Sequence, residues 1–198
     1  MKARVLMLAV PAALFLAAPA TYAVPMSFTA VLTGANEVPP NGSPATGTAL
    51  VTLDLDLDTL TVDVTFAGLL ADNTAAHIHC CTMDPLMGTA GVATVTPTFT
   101  GFPPGTSGTY HHTFDLLAAV GTYNPTFVAN NGGTPASAEA ALVAGMLAQK
   151  SYLNIHSDEF GGGEIRGFLV PAAVPEPASL LLLGSGLAAG GLWRRRRP

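Results

Sequence analysis

An all-β domain, folded as a sandwich or a barrel, is what the sequence predicts, and three observations point to it. Apolar and polar residues alternate with period two up to Asp58 and again from Leu60 to Phe66, the pattern of half-buried strands. Short runs of this kind recur with glycine and proline between them, and the 198-residue chain holds 21 Gly and 16 Pro. The two cysteines, Cys80 and Cys81, are adjacent and supply no widely spaced disulfide framework, so stability must come from a packed core.

Taken in order, Met1 to Ala23 reads as a signal peptide: Lys2 and Arg4, an apolar stretch from Val5 to Ala18, then small residues ending at Ala23. Pro11 and Pro19 argue against a buried helix there. The domain proper is expected over residues 24–173, beginning with a strand from Ser27 to Thr33. A hairpin follows, with Ala49, Val51, Leu53, Leu55 and Leu57 inward on its first arm and Leu60, Val62, Val64 and Phe66 inward on its second. Asp54, Asp56 and Asp58 are read as one solvated face with Asp63 opposite; alternate strand residues project in parallel about 7 Å apart, which does not suit calcium. Further strands are expected at Ala75–Cys80, Gly108–Leu116, Tyr152–Ser157 and Glu164–Val170. Thr134 caps one short helix from Pro135 to about Lys150, with Leu142 and Met146 at helical spacing.

Beyond the domain, residues 174–198 form a tail of three parts. Pro175, Glu176 and Pro177 precede an apolar stretch, 178–193, and then Arg194, Arg195, Arg196 and Arg197. At about 1.5 Å per residue the stretch reaches roughly 24 Å, a short transmembrane helix whose arginines stay cytoplasmic and leave the domain outside.

Composition excludes several function classes. Charged residues are only 11% of the chain, and between Val24 and Val174 just two basic side chains, Lys150 and Arg166, stand against twelve acidic ones. So acidic a body repels phosphate backbones, which argues against nucleic acid. No Gly-x-Ser-x-Gly elbow, phosphate-binding glycine loop or dinucleotide fingerprint is present, and the expectation is a protein that is not an enzyme. Asp158 and Glu159, adjacent in a glycine-rich loop, are a weak basis for acid–base chemistry.

Histidines carry the chemistry that remains. His77 and His79 flank Ile78, so a strand puts both imidazoles on one face, and His156 shares a face with Asn154 opposite Leu153 and Ile155. Brought together, the three would suit copper or zinc; the alternatives are histidines hydrogen-bonded to neighbouring loops, or simple exposure. His111 and His112 are sequence neighbours on a strand, so at most one can join any shared site. Cys80 and Cys81 are read three ways: a vicinal disulfide, a soft ligand at Cys81, or two buried thiols. Glu164 and Arg166 bracket Ile165, which suggests an ion pair or hydrogen bonds to a nearby turn, with anion binding as the alternative.

Two resemblances add to this reading. The terminal Pro-Glu-Pro motif, apolar helix and arginine cluster closely resemble the PEP-CTERM sorting signal. That implies export machinery and an exosortase-type membrane protease as partners, removal of the helix, and delivery to the cell envelope, outer surface or exopolysaccharide matrix. Phe28-Thr29-Ala30, Gly34 to Pro40, Ala76-His77-Ile78-His79, Tyr152 to His156 and Gly163 to Gly167 are together similar to the CHRD domain. This implies an antiparallel, Greek-key-like β-sandwich with the two histidine-bearing strands near each other, loosely similar to copper/zinc superoxide dismutase. Five histidines, two of them adjacent, do not supply the dismutase ligand set, and that reaction is not carried over. The expected function is an exported, non-enzymatic adhesive or structural module of the envelope, touching exopolysaccharide or other envelope proteins. The alternative is a copper or zinc binding or redox domain using His77, His79 and His156.

Overall fold

Eight strands, two helices and one 3-10 turn account for the secondary structure of residues 24–172, which are the residues described by the computed structural model. The expected signal peptide and the sorting tail with its transmembrane helix lie outside them. Among the described residues no helix is long and apolar enough to cross a membrane.

The strands are β1 (Met26–Thr33), β2 (Thr46–Asp54), β3 (Thr59–Ala67), β4 (Asn73–His79), β5 (Gly108–Asp115), β6 (Tyr152–Ser157), β7 (Ile165–Phe168) and β8 (Val170–Pro171). Their spatial order is β4-β6-β7-β1-β2-β3-β5, with β8 also on β1, and every pairing is antiparallel. The sheet curls into a half-barrel whose two wings are joined narrowly, because β7 meets β1 only at Thr33 and Arg166. The chain then crosses Leu169 and continues as β8 on the same neighbour. One wing is β4-β6-β7 and the other β8-β1-β2-β3-β5.

Period-two alternation builds the core, as the sequence indicates. Phe28, Leu32, Val51, Leu53, Leu60, Val62 and Phe66 point inward from the larger wing and Ile78, Leu153, Ile155 and Ile165 from the smaller, all at most 2% exposed. Phe99, from the long β4–β5 connection, fills the centre, with Tyr110 and Phe114 rings each 5.6 Å away. Helix α2 (Pro135–Leu147) buries Ala138, Leu142 and Met146 against this core, and its capping box joins Thr134 and Ser137. It ends three residues before Lys150.

Some expectations are corrected. The first hairpin arm stops at Asp54 rather than Asp58: Asp54 Oδ1 accepts hydrogen bonds from the amides of Asp56 and Leu57, and Asp58 takes φ 50°. Leu55 and Leu57 are therefore exposed in a turn, and Asp54, Asp56 and Asp58 do not form one strand face. Asp63 pairs with Leu50 in register and its side chain meets His111 at 2.6 Å. A second short helix, α1 (Pro125–Asn130), is also present; Asn124 caps it by accepting from the Thr126 amide.

Candidate metal centre

The smaller wing has one apolar and one polar face. Ala76, Ile78, Leu153, Ile155 and Ile165 occupy the core side, and the residues between them put His77, His79, Asn154, His156, Tyr152 and Arg166 on the other. In register His77 lies beside Asn154, which lies beside Arg166, while His156 pairs with Ala75 and is thus the diagonal neighbour of His77. Loops cover most of this face, so that His77, His79, Asn154 and Arg166 are all buried and His156 half-buried.

The segment after β4 secures that cover. β4 is an edge strand, and its outward amides at Ala76 and Ile78 donate to Thr98 Oγ1 and Thr94 Oγ1, both at 2.9 Å. The same segment donates Ala93 N to Ile78 O and Phe99 N to Ala76 O, so β4 keeps no long free edge for another chain to pair with.

Each of the three imidazoles is oriented by a backbone carbonyl. His77 Nδ1 lies 3.3 Å from Pro97 O, His79 Nδ1 2.8 Å from Ala90 O and His156 Nδ1 3.0 Å from Gly161 O. A carbonyl oxygen only accepts, so these three contacts are hydrogen bonds when Nδ1 carries the proton, the tautomer that leaves the lone pair of each neutral ring on Nε2. His77 Nε2 and His156 Nε2 are 3.0 Å apart, and His79 Nε2 is buried with no hydrogen-bond partner. One ring nitrogen from each histidine lies within 4.8 Å of the other two. Three ligands of one ion at about 2.0 Å would sit roughly 3.4 Å from one another, within reach of small ring movements.

Electrostatics hold the rings neutral. Burial, then the neighbouring His79 and His156, push His77 down to about 3 against the bond from Pro97 O. His79 falls to about 4, chiefly through burial, with the Ala90 carbonyl opposing and His156 and Arg166 adding to the fall. His156 is lowered too, by burial. A stack reinforces the arrangement: the Tyr152 ring lies parallel to His79 with centres 4.6 Å apart, and the Arg166 guanidinium sits 4.7 Å from the Tyr152 centre. Tyr152 Oη in turn accepts from the Ala90 amide, tying the ring to the loop that holds His79.

Arg166 and Glu164 do not form a pair with each other. Arg166 donates to Asn36 O and Gly88 O, and its carboxylate neighbour is Glu37, at 3.8 Å. Burial pushes Glu37 up to about 7, with Arg166 opposing. Glu164 Oε1 accepts from Ser43 Oγ at 2.6 Å and from the Leu70 amide at 2.8 Å, pinning two loops. Gly163, at φ 129°, has no room for a side chain: a Cβ there would lie 2.8 Å from Glu37 Oε1 and 2.9 Å from Asn154 Oδ1.

The remaining candidates lie apart from the histidine cluster. Cys80 and Cys81 are joined as a vicinal disulfide packed on Gly145 of α2, with Cys81 Sγ directed at Ala141 O, so Cys81 is not a ligand beside the histidines. His111 is on the exposed outer face of β5, and His112 is turned toward Phe114, ring centres 4.4 Å apart. Asp158 and Glu159 are exposed. The sequence reading did not assign Tyr152 or Glu37 to the site; period two on β6 puts Tyr152 on the face of Asn154 and His156 and is the signal that finds it.

Comparison with known families matches residues 28–169 to the CHRD domain and residues 173–197 to the PEP-CTERM protein-sorting motif. No curated protein and no solved structure matches the chain. The sorting motif supports processing by an exosortase-type system and export to the cell envelope or outer surface. With the CHRD match covering well over half of its length, including both histidine-bearing strands, the chain belongs to the CHRD-domain family.

Proposed function

We propose that this chain is an exported, non-enzymatic CHRD module whose working part is a copper or zinc site held by His77, His79 and His156. One observation carries the reading. All three Nδ1 atoms face carbonyl oxygens, so three Nε2 lone pairs are left converging on one another inside the protein. Two lone pairs 3.0 Å apart repel unless a proton or a metal ion lies between them, and rings held neutral by burial leave no added proton to compete with a metal ion at neutral pH. Backbone carbonyls on the far ring nitrogens are the usual means of aiming metal-binding imidazoles. Elemental analysis of the full chain purified without a polyhistidine tag is the test. About one equivalent of copper or zinc, lost in His79→Ala, is expected; folded protein that takes up neither metal would remove the proposal.

Adhesion is the second reading, and the outer face of the larger wing favours it. Ser27, Thr52, Thr61 and Thr113 line one rung, and Val31, Thr48, Thr65 and Thr109 another, without a lysine or arginine among them. Such a hydroxyl-bearing sheet suits exopolysaccharide or an envelope protein. Retention of the purified chain on the host's own polysaccharide, weakened by Thr48→Lys with Thr65→Lys, is the expected result; unchanged retention would count against this face.

A further inference from the structure

Resting on the reading of His77, His79 and His156 as ligands, we infer that the ion this site selects is cuprous copper, Cu(I), in preference to zinc or cupric copper. Charge is the first reason. The donors are three neutral imidazoles, and no carboxylate or thiolate belongs to their group among the described residues. The charge layered against the site through Tyr152 is positive, the Arg166 guanidinium, whose own carboxylate neighbour Glu37 is outside the ligand group. The cost of taking an ion out of water grows with the square of its charge, so a dication here costs about four times as much as a monocation. Zinc sites usually offset part of that cost with thiolate or carboxylate ligands, and this one has none.

Coordination number is the second reason. Three nitrogens complete a trigonal shell for closed-shell Cu(I), whereas zinc needs a fourth ligand, which at a three-histidine site is a water that must be brought into this half-buried cluster. Among the histidine, cysteine, aspartate and glutamate side chains described, the group supplies three.

Softness is the third. The segment that leaves β4 after His79 returns to hold that histidine through the Ala90 carbonyl. Between these points it carries Met83 and Met87, 88% and 60% exposed. Thioethers are soft donors that favour Cu(I) over zinc, and these two are exposed to solvent on the segment between His79 and the carbonyl that holds it.

Paired competition titrations test the assignment. The full chain, untagged and kept anaerobic, is titrated with Cu(I) against a chromophoric cuprous chelator, and separately with Zn(II) against a chromophoric zinc chelator. The expected result is one Cu(I) bound at least about a hundredfold more tightly than Zn(II). That binding is lost in His79→Ala and in His156→Gln; the latter changes a half-buried ring and serves if the former fails to fold by circular dichroism. Zinc held as tightly as Cu(I), or a cupric complex that ascorbate does not reduce, overturns the cuprous assignment and leaves the three-histidine site standing. Folded chain that binds neither metal overturns both.

Discussion

At the scale of single residues, the consequences of burying three imidazoles and one carboxyl are opposite in sign. His77 and His79 titrate in the folded protein at about 3 and 4, below their ordinary 6.5. Between those values the unfolded chain takes up protons that the folded one refuses. Their contribution is present above pH 6.5 and is lost as pH falls toward 4 and then 3, with a slope of up to about 1.4 kcal/mol per pH unit from each. Urea midpoints of the metal-free chain are therefore expected to fall from pH 6.5 to pH 4.5, and a His77→Gln, His79→Gln double variant should flatten that part of the profile. Glu37, raised from 4.5 to about 7, works the other way: its contribution is present below pH 4.5 and is lost as pH rises through 7. Glu37→Gln does not titrate, whereas the parent's Glu37 Oε1 is buried without a hydrogen-bond partner and must carry charge there at high pH. Thermal melts at pH 8 should show this variant more stable than the parent by about 1–3 kcal/mol, and the advantage should shrink at pH 5.

Elements make separate predictions. Helix α2 approaches the loop after β4 so closely that a Cβ on Gly145 would collide with the sulfurs of both Cys80 and Cys81. Gly145→Ala is expected to lower stability by about 1–3 kcal/mol, despite the better helix propensity of alanine, and chemical denaturation measures it. Thr134→Ala removes the acceptor for the Ser137 amide and should lose about 1 kcal/mol in the same assay. Much of this layer was legible in the sequence, because local pattern is enough for it: Thr134 before Pro135 marks the helix start, and alternation from Leu60 to Phe66 reproduces the buried face of β3. The pattern failed where a side chain competed with the sheet. Asp54 captures two amides and ends β2 although the apolar alternation continues through Leu57. Helix α1 has only six residues, too few to show a period, although Asn124 followed by Pro125 marks its start.

The whole molecule decides the site. His-x-His on one strand and His156 on another could each be assigned a face from the sequence, but their meeting depends on β4 pairing with β6 across more than 70 residues and on Ala75 facing His156 in register. Nor could the sequence reveal the carbonyls of Pro97, Ala90 and Gly161, since every residue type carries one. The CHRD resemblance brought the two strands near each other, and the geometry supplied the convergence. Placed on the polar face of the smaller wing, opposite the core, the site is held from one side by the sheet and from the other by loops, leaving His156 as its half-open side. On the larger wing the outer face bears hydroxyls, with Thr48, Thr65 and Thr109 exposed among the described residues.

Histidine tautomers are the most direct reading of the central claim, because the orientation of three rings is what makes the cluster a ligand set. Nitrogen-15 NMR of the full, metal-free chain at pH 7 should find His77, His79 and His156 neutral with the proton on Nδ1, and one equivalent of Cu(I) should move all three Nε2 resonances together. A proton resident on Nε2 of His77 or His156 that persists when metal is added would mean that the two rings simply hydrogen-bond to each other, and the account of this site would be wrong.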